Sequence, residues 1–298
     1  MKPSRLERDT MTNELKLAAA PISWGVCETP GWGKQLDPER VLTDMKDLGI
    51  THTEFGPAGF LPEDAIERAE FLSDRGMTAI GGFYPAVMHR DDHDPLPALR
   101  EELEAYRAAG AEILVLSLDN GTSSYDDKRE LTDEEWALTA RRLNEAHELA
   151  ASYGVRAVVH QHVGTLCESP VAVERLINDT EIELCLDTGH MLAGGNDPLA
   201  FVGEHADRVG HVHLKDVDSA QATKVLNGDI AYSDAVADGM YRPLGTGDAQ
   251  IGAIIRTLRE AGYDGWYVME QDYRILDDSQ IEQAVRDVQD STAFVRSI

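Results

Sequence analysis

Three short apolar segments of the chain each end in an ionisable side chain: Asp187, His213 and Glu270. Burying a charged group without a partner is strongly unfavourable, so strands that end in such groups often use them to hold a metal ion or to move protons. An Asp, a His and a Glu on neighbouring strands would supply mixed oxygen and nitrogen ligands. Such a set suits Mn²⁺, Co²⁺, Fe²⁺, Ni²⁺ or Zn²⁺ better than Ca²⁺.

Other predicted strands also end in polar side chains. His160 and His162 are two positions apart, so they share a face of their strand and either or both can point inward. Of His211 and His213, we expect only one to face the interior. Glu54 lies one residue before the end of the second predicted strand and joins the candidates.

Asp187 also has a purely structural interpretation. An acid at the end of a strand is often the N-cap of the following helix or a solvated loop residue. Glu168, just before Ser169-Pro170, is similarly predicted to be a helix-start charge near the positive end of the helix dipole. The combination is more specific than any one residue, because several separate strands end in potential ligands.

The composition is strongly acidic. The 298 residues include 27 Lys and Arg against 54 Asp and Glu, giving a formal net charge of −27. This charge argues against a nucleic-acid partner, whose phosphates attract Lys and Arg, and against anionic membranes. Three scattered cysteines fit a reducing cytosol, and no apolar segment has membrane-spanning length. We expect a cytoplasmic protein with a disordered extension over residues 1–14.

Predicted strands and amphipathic helices alternate along the chain. Glycines close the helices just before the next strand, at Gly49, Gly76, Gly110, Gly154 and Gly262. About eight such units predict an α/β fold, a (β/α)8 TIM barrel that forms a single domain over residues 15–298. A doubly wound sheet is the alternative, but no Gly-x-Gly-x-x-Gly follows the first strand.

The candidate ligands lie where the predicted strands end, which is where such barrels carry their active sites. The predicted strands are 17–24, 51–55, 77–84, 113–118, 155–160, 183–187, 209–214 and 265–270. Residues 217–247 are too many for a plain loop and contain weakly helical pieces at 220–227 and 232–237. We expect this insertion to be a lid or specificity element on the barrel rim.

Several segments resemble a known family. Cys185–His190 (CLDTGH), Gly210–Asp216 (GHVHLKD) and Met269–Asp272 (MEQD) are similar to motifs of the xylose isomerase-like TIM barrels, which include sugar isomerases, ketose 3-epimerases and endonuclease IV. Within this superfamily the greatest similarity is to the inosose dehydratase branch, through the segments Pro21–Gly25, Thr53–Pro57, Gly59–Pro62 and His160–Thr165. The resemblance extends from about Ala18 to Asp272.

The resemblance implies a divalent metal ion, with Mn²⁺ or Co²⁺ expected first and Mg²⁺, Fe²⁺, Ni²⁺ or Zn²⁺ as alternatives. Its ligands would be Asp187, His213, Glu270 and a fourth group from strand five. That group is a Glu in the epimerases and endonuclease IV, whereas this chain has His160, with His162 as the neighbouring alternative. Epimerases use two metal-bound glutamates on opposite faces of the carbon they invert. A single Glu270 therefore favours elimination over epimerisation.

The expected enzyme is a metal-dependent carbon–oxygen lyase that acts on a small polyol or keto-sugar. It would remove a proton next to a ketone and eliminate the β-oxygen substituent, as in dehydration of 2-keto-myo-inositol (inosose) or β-elimination from a 3-keto sugar or glycoside. Glu270, His160 or His162 would take the proton. A protonated His or Lys215 would protonate the leaving oxygen.

Four more residues are candidates for substrate contact: Glu54, His190 and Arg242 through polar groups, and Trp24 by stacking, with rim packing as its alternative. The alternative enzyme is a ketose or sugar-phosphate epimerase or isomerase on the same metal site. A DNA-repair endonuclease is disfavoured by the charge, and an inactive sugar-binding barrel is disfavoured by the intact candidate ligands. Association into a homo-oligomer is compatible with the sequence.

Overall fold

The computed structural model describes residues 15–122 and 124–298. Its strands are β1 (Lys16–Ala19), β2 (His52–Glu54), β3 (Thr78–Ala86), β4 (Ile113–Leu118), β5 (Arg156–His160), β6 (Glu183–Asp187), β7 (Val209–Leu214), β8 (Asp216–Val217), β9 (Tyr241–Arg242) and β10 (Trp266–Met269). Eight of them are parallel and close a barrel in the order β1-β2-β3-β4-β5-β6-β7-β10, with β10 pairing with β1. The predicted (β/α)8 barrel is confirmed. The predicted disordered extension, residues 1–14, lies outside the described residues.

Helices alternate with the barrel strands. They are α1 (Pro38–Asp47), α2 (Ala65–Ser73), α3 (Leu96–Ala109), α4 (Asp133–Ser152), α5 (Pro170–Asp179), α6 (Thr188–Ala193), α7 (Pro198–His205), α8 (Ser219–Leu226), α9 (Tyr232–Ala237), α10 (Ile251–Ala261) and α11 (Ile281–Arg296). The capping box predicted at Thr132 and Glu135 begins α4. Within the described ranges, none of the helices combines the length and the apolar character needed to cross a membrane.

The first strand is shorter than predicted. It ends at Ala19, and Pro21–Trp24 forms a 3-10 turn that Gly25 closes with a φ of 78°. Pro21 has no N–H to offer a sheet and suits the first position of a helical turn. Gly25 adopts the left-handed conformation at little steric cost because it has no Cβ. The turn leaves Trp24 in the hydrophobic core.

Strand register brings the candidate ligands to one end of the barrel. Asp187 on β6 pairs with His213 on β7. Glu270 directly follows β10, whose last residue pairs with Leu214 of β7. His160 is the last residue of β5. Because the eight strands are parallel, their carboxyl ends form a single rim, and the four side chains share it.

The segment after β7 forms an insertion on that rim. β8 and β9 pair antiparallel at its base, and α8 and α9 lie between them in sequence. The buried carboxylate of Asp216 accepts hydrogen bonds from the backbone N–H groups of Gly245, Gly247 and Ala249 at 2.8, 3.0 and 3.0 Å. Asp216 thereby joins the two ends of the insertion.

Candidate functional site

The three predicted metal ligands meet at the barrel rim. Asp187, His213 and Glu270 each offer one ligand atom within 4.8 Å of the others. Nδ1 of His213 lies 2.7 Å from Oε2 of Glu270 and 3.8 Å from Oδ2 of Asp187. All three residues are buried. The structure thus brings together groups that the sequence places on three separate strands.

Glu54 sets the orientation of His213. Its Oε1 accepts hydrogen bonds from Nε2 of His213 and of His211, each at 2.9 Å. Since the Nε2 proton of His213 is donated to Glu54, Nδ1 is the ring nitrogen left to face Asp187 and Glu270. Nδ1 pairs with Oε2 of Glu270 at 2.7 Å. Burial lowers the pKa of His213, but Cys185, Glu54 and Glu270 outweigh it and raise the pKa well above its ordinary value. A metal ion held by Nδ1 and Oε2 would replace the proton that this pair otherwise shares, with Glu54 orienting the histidine ligand.

Asp187 caps a helix and faces the site at the same time. Its Oδ1 accepts hydrogen bonds from the backbone N–H groups of Gly189 and His190 at 3.0 and 2.8 Å, which begins α6. Its Oδ2 lies 3.4 Å from Nε2 of His160. Asp187 can therefore act as the N-cap of α6 through Oδ1 and as a candidate metal ligand through Oδ2.

The two histidines of strand five occupy different positions. The ring centroid of His160 is 4.8 Å from that of His213. His162 instead stacks on His190, with centroids 3.6 Å apart, and its Nδ1 donates to the Val163 carbonyl at 2.6 Å. That bond leaves Nε2 of His162 as a proton acceptor. The geometry suits His160 as a fourth ligand, so a divalent ion would meet two carboxylate oxygens and two imidazole nitrogens, which transition-metal ions accept.

Lys215 lies among the carboxylates of Asp187, Glu270 and Asp272. Its side chain is 0% exposed. Nζ is 2.9 Å from Oε1 of Glu270, 2.7 Å from Oδ1 of Asp272, 2.8 Å from Nε2 of His190 and 3.2 Å from Oδ2 of Asp187. The prediction that Lys215 protonates a substrate oxygen is corrected here, because the ammonium protons are already directed to protein groups.

Two tyrosines of the insertion complete a network around Lys215. Tyr241 bonds Nδ1 of His190 at 3.1 Å, Tyr232 donates to Oδ2 of Asp272, and the two hydroxyl oxygens are 3.3 Å apart. Sequence reasoning missed both tyrosines, since they follow no recognisable spacing. The network connects the insertion to the candidate metal centre.

Burial and neighbouring charges fix the ionisation of these groups. Burial raises the pKa of Glu54, but His213 and His211 outweigh it and hold the pKa at about 2. Burial lowers the pKa of Lys215, yet the surrounding carboxylates raise it well above its ordinary value. Burial, together with His160 and Lys215, lowers the pKa of His162 to about 3. At neutral pH, Glu54 is thus ionised, Lys215 is charged and His162 is neutral.

The site opens into a cavity of about 690 Å³, a size typical of small-molecule sites. Phe83 on β3, 37% exposed, lies in this cavity with its ring edge-to-face against that of His160 at 6.1 Å. Sequence reasoning missed Phe83, because nothing in the pattern of β3 shows which aromatic stays exposed. The predicted site residues that line the cavity are Glu54, His160, His162, His213 and Glu270.

Three predicted substrate contacts are corrected by the structure. Trp24 is fully buried in the hydrophobic core, so it cannot stack on a ligand. His190 is fully buried beneath His162, with its ring nitrogens bonded to protein groups. Arg242 pairs with Asp218 at 3.0 Å and lines a separate cavity of about 370 Å³.

Two further expectations are also corrected. His211 and His213 both face the barrel interior, because residues two apart on a strand lie on the same face. Glu168 is more than a helix-start charge. Its carboxylate accepts a hydrogen bond from the backbone N–H of Gly164 at 2.8 Å and pairs with Lys128 at 3.1 Å, which fixes the loop after β5.

Known proteins resemble this chain in sequence. Residues 42–298 match the family described as xylose isomerase-like TIM barrel. An inosose dehydratase of Geobacillus thermodenitrificans (strain NG80-2) is 31% identical over 272 residues, which cover 87% of this chain and 90% of the relative. The rhizopine catabolism protein MocC of Rhizobium meliloti is 31% identical over 266 residues, covering 86% of this chain and 81% of the relative.

Solved structures share the fold at lower identity. The IOLI protein with a bound zinc atom superposes with a TM-score of 0.69 at 15% identity, covering 95% of this chain and 98% of that chain. The probable 3-DHS dehydratase AsbF from Bacillus anthracis gives a TM-score of 0.69 at 14% identity, covering 94% and 98%. The family match and the relatives at 31% identity together show that the chain belongs to the xylose isomerase-like TIM barrel family.

Proposed function

We propose that the protein is a metal-dependent carbon–oxygen lyase that dehydrates a ring-shaped keto-polyol such as 2-keto-myo-inositol. The observation that carries this proposal is the convergence of Asp187, His213, Glu270 and His160 beside a cavity that also holds His162. Similarity to inosose dehydratases over most of the chain supports the substrate class. A 3-keto sugar or glycoside, which would undergo β-elimination by the same chemistry, is the alternative substrate.

The four proposed ligands suit Mn²⁺ or Co²⁺, with Mg²⁺, Fe²⁺, Ni²⁺ and Zn²⁺ as alternatives. When bound, such an ion would supply Lewis-acid stabilisation of the negative charge that develops on the substrate's carbonyl oxygen. The protein's own part is to hold the ligands. Glu54 orients His213, and the first backbone N–H groups of α6 orient Asp187.

His162 is the proposed general base. Its Nε2 takes the proton from the carbon next to the ketone while the carbon–carbon double bond forms and the β carbon–oxygen bond breaks. The protonated imidazole then gives that proton to the departing hydroxyl, which leaves as water. The step needs neither an oxidant nor a reductant. Glu270 is the alternative base, but its two oxygens already contact Lys215 and His213.

The test is an assay of Mn²⁺- or Co²⁺-loaded protein with 2-keto-myo-inositol and with a 3-keto-glucoside, run in D₂O. We expect an enone or diketone absorbance that requires metal and disappears in His162→Gln. Deuterium in recovered substrate or in an epimer, without an elimination product, would contradict the lyase and favour the epimerase or isomerase. Elimination from the keto-glucoside alone would retain the lyase and change the substrate.

A further inference from the structure

The ammonium of Lys215 lies among donors of the kind that bind metal ions. Three carboxylates (Asp187, Glu270 and Asp272) and the imidazole of His190 place an oxygen or a nitrogen within 3.2 Å of Nζ. Carboxylate oxygens and imidazole nitrogens are the usual ligands of divalent transition ions. The charged lysine is therefore the centre of a second donor set beside the candidate metal centre.

Two residues belong to both donor sets. Glu270 directs Oε2 toward His213 and Oε1 toward Lys215. Oδ2 of Asp187 faces His160 at 3.4 Å and Lys215 at 3.2 Å. Carboxylates shared in this way are typical of enzymes in which two metal ions act side by side.

The second donor set is held in place by contacts that do not involve Lys215. Tyr232 donates to Asp272, Tyr241 bonds His190, and the backbone of α6 bonds Asp187. These contacts would survive the loss of the lysine side chain. The donors would then keep their positions around an unfilled cation position.

We propose that the ammonium of Lys215 is a resident cation that fills the second position of a two-cation site and limits the protein to one divalent ion. The inference presupposes the metal centre of the proposed function and assigns Lys215 a positioning role within it. Without Lys215, a second divalent ion would bind Asp187, Glu270, Asp272 and His190. The lysine also balances negative charge that the first ion alone leaves uncompensated.

The test counts Mn²⁺ ions by native mass spectrometry and by metal analysis of the full-length protein. We expect one ion in the wild type and two in Lys215→Ala, where space and donors are both available. Lys215→Met should bind one, because its side chain refills the space without offering a charge. Lys224→Ala, which removes an exposed lysine from α8, is the matched control and should bind one. The double variant Lys215→Ala/Asp272→Ala should again bind one ion, because the second donor set has lost a carboxylate.

Each departure from this pattern has a distinct meaning. Two ions in the wild type, or one ion in folded Lys215→Ala, would overturn the inference while leaving the proposed function intact. No ion in the wild type would contradict the metal centre itself. A Lys215→Ala protein that fails to fold even in excess Mn²⁺ would also count against the inference, because a second ion should replace the lost positive charge.

Discussion

At the scale of single residues, Glu54 acts on the candidate metal centre through another residue, His213. It accepts hydrogen bonds from His213 and His211 with one oxygen and leaves Nδ1 of His213 to face Asp187 and Glu270. A carboxylate in this position makes a histidine ligand more basic and fixes its ring. We therefore expect the influence of Glu54 on a bound metal ion to depend on its charge.

Replacing Glu54 by Gln should weaken metal binding. The amide keeps an acceptor for the two histidines but removes the charge, and losses of such partners typically cost about 10–100-fold in metal affinity. Titration calorimetry with Mn²⁺ on metal-free protein measures the effect. Glu63→Gln, an exposed carboxylate on the same cavity, is the control and should leave the affinity unchanged. Equal affinities for Glu54→Gln and wild type would show that Glu54 has only a packing role.

Substitutions of His160 and His162 should affect different quantities, metal affinity for one and kcat for the other. His162→Gln is expected to lower kcat by about 10²–10⁴-fold, the usual contribution of a general base, while leaving the Mn²⁺ affinity intact. His160→Gln should weaken Mn²⁺ binding itself. The measurements are steady-state kinetics at saturating metal together with calorimetric metal titration. The opposite pattern, with metal affinity lost in His162→Gln, would exchange the two roles.

Single residues also show where sequence reasoning succeeds and fails. Asp187, His213 and Glu270 could be predicted because each ends a buried strand, and parallel strands bring such ends together. The sequence could not show that Trp24 is buried and Phe83 is exposed, because the exposure of a side chain depends on how the chain turns near each strand. The 3-10 turn closed by Gly25 buries Trp24, whereas β3 carries Phe83 into the cavity.

At the scale of elements, the insertion between β8 and β9 depends on one buried acid. Asp216 accepts hydrogen bonds from three backbone N–H groups on the returning side of the insertion. Those groups would be left without partners if the carboxylate were removed. The insertion also carries Tyr232 and Tyr241, so a less ordered insertion would disturb their hydrogen bonds in the network around Lys215.

Asp216→Ala should therefore destabilise the protein and loosen the insertion. Each buried group left without a partner costs about 1–3 kcal/mol, so the free energy of unfolding should fall by at least that amount. Denaturant unfolding measures the stability, and limited proteolysis within residues 217–247 measures the loosening. Asp248→Ala removes an exposed carboxylate that accepts from the backbone N–H of Ser219 at 2.9 Å, and should change little. Equal protease resistance in both variants would contradict the role of Asp216.

The elements themselves were largely predictable, and the exceptions share a cause. Amphipathic helices closed by glycine, followed by apolar strands, predict the alternating order because both signals are local. β8 and β9 have two residues each, which is too short to show the alternation of apolar and polar residues typical of a strand. They form because Asp216 and its partners bring the ends of the insertion together, and that pairing cannot be recognised from local sequence.

At the scale of the whole molecule, the proposed metal ion should contribute to global stability. A ligand that binds only the folded state stabilises it by about 2.7 kcal/mol at one hundred times its Kd, and the proposed ligands come from the ends of four different strands. Calorimetry should show a higher Tm in Mn²⁺ than in a chelator. Asp187→Asn keeps an oxygen for the α6 cap but loses the ligand charge, so its Tm should respond much less. A wild-type Tm that is indifferent to Mn²⁺ would contradict the metal centre.

Closure of the barrel has a consequence for how the protein is made. β1 pairs with β10, so Lys16 lies opposite Trp266, and the ring is complete only when residues near the end of the chain join those near its beginning. During translation, the segments that become β1 and β7 emerge long before their shared neighbour. A nascent chain halted before residue 266 would expose two unpaired strand edges, which invite aggregation. It would also lack Glu270, so the proposed metal ion could bind only after nearly the entire polypeptide has left the ribosome.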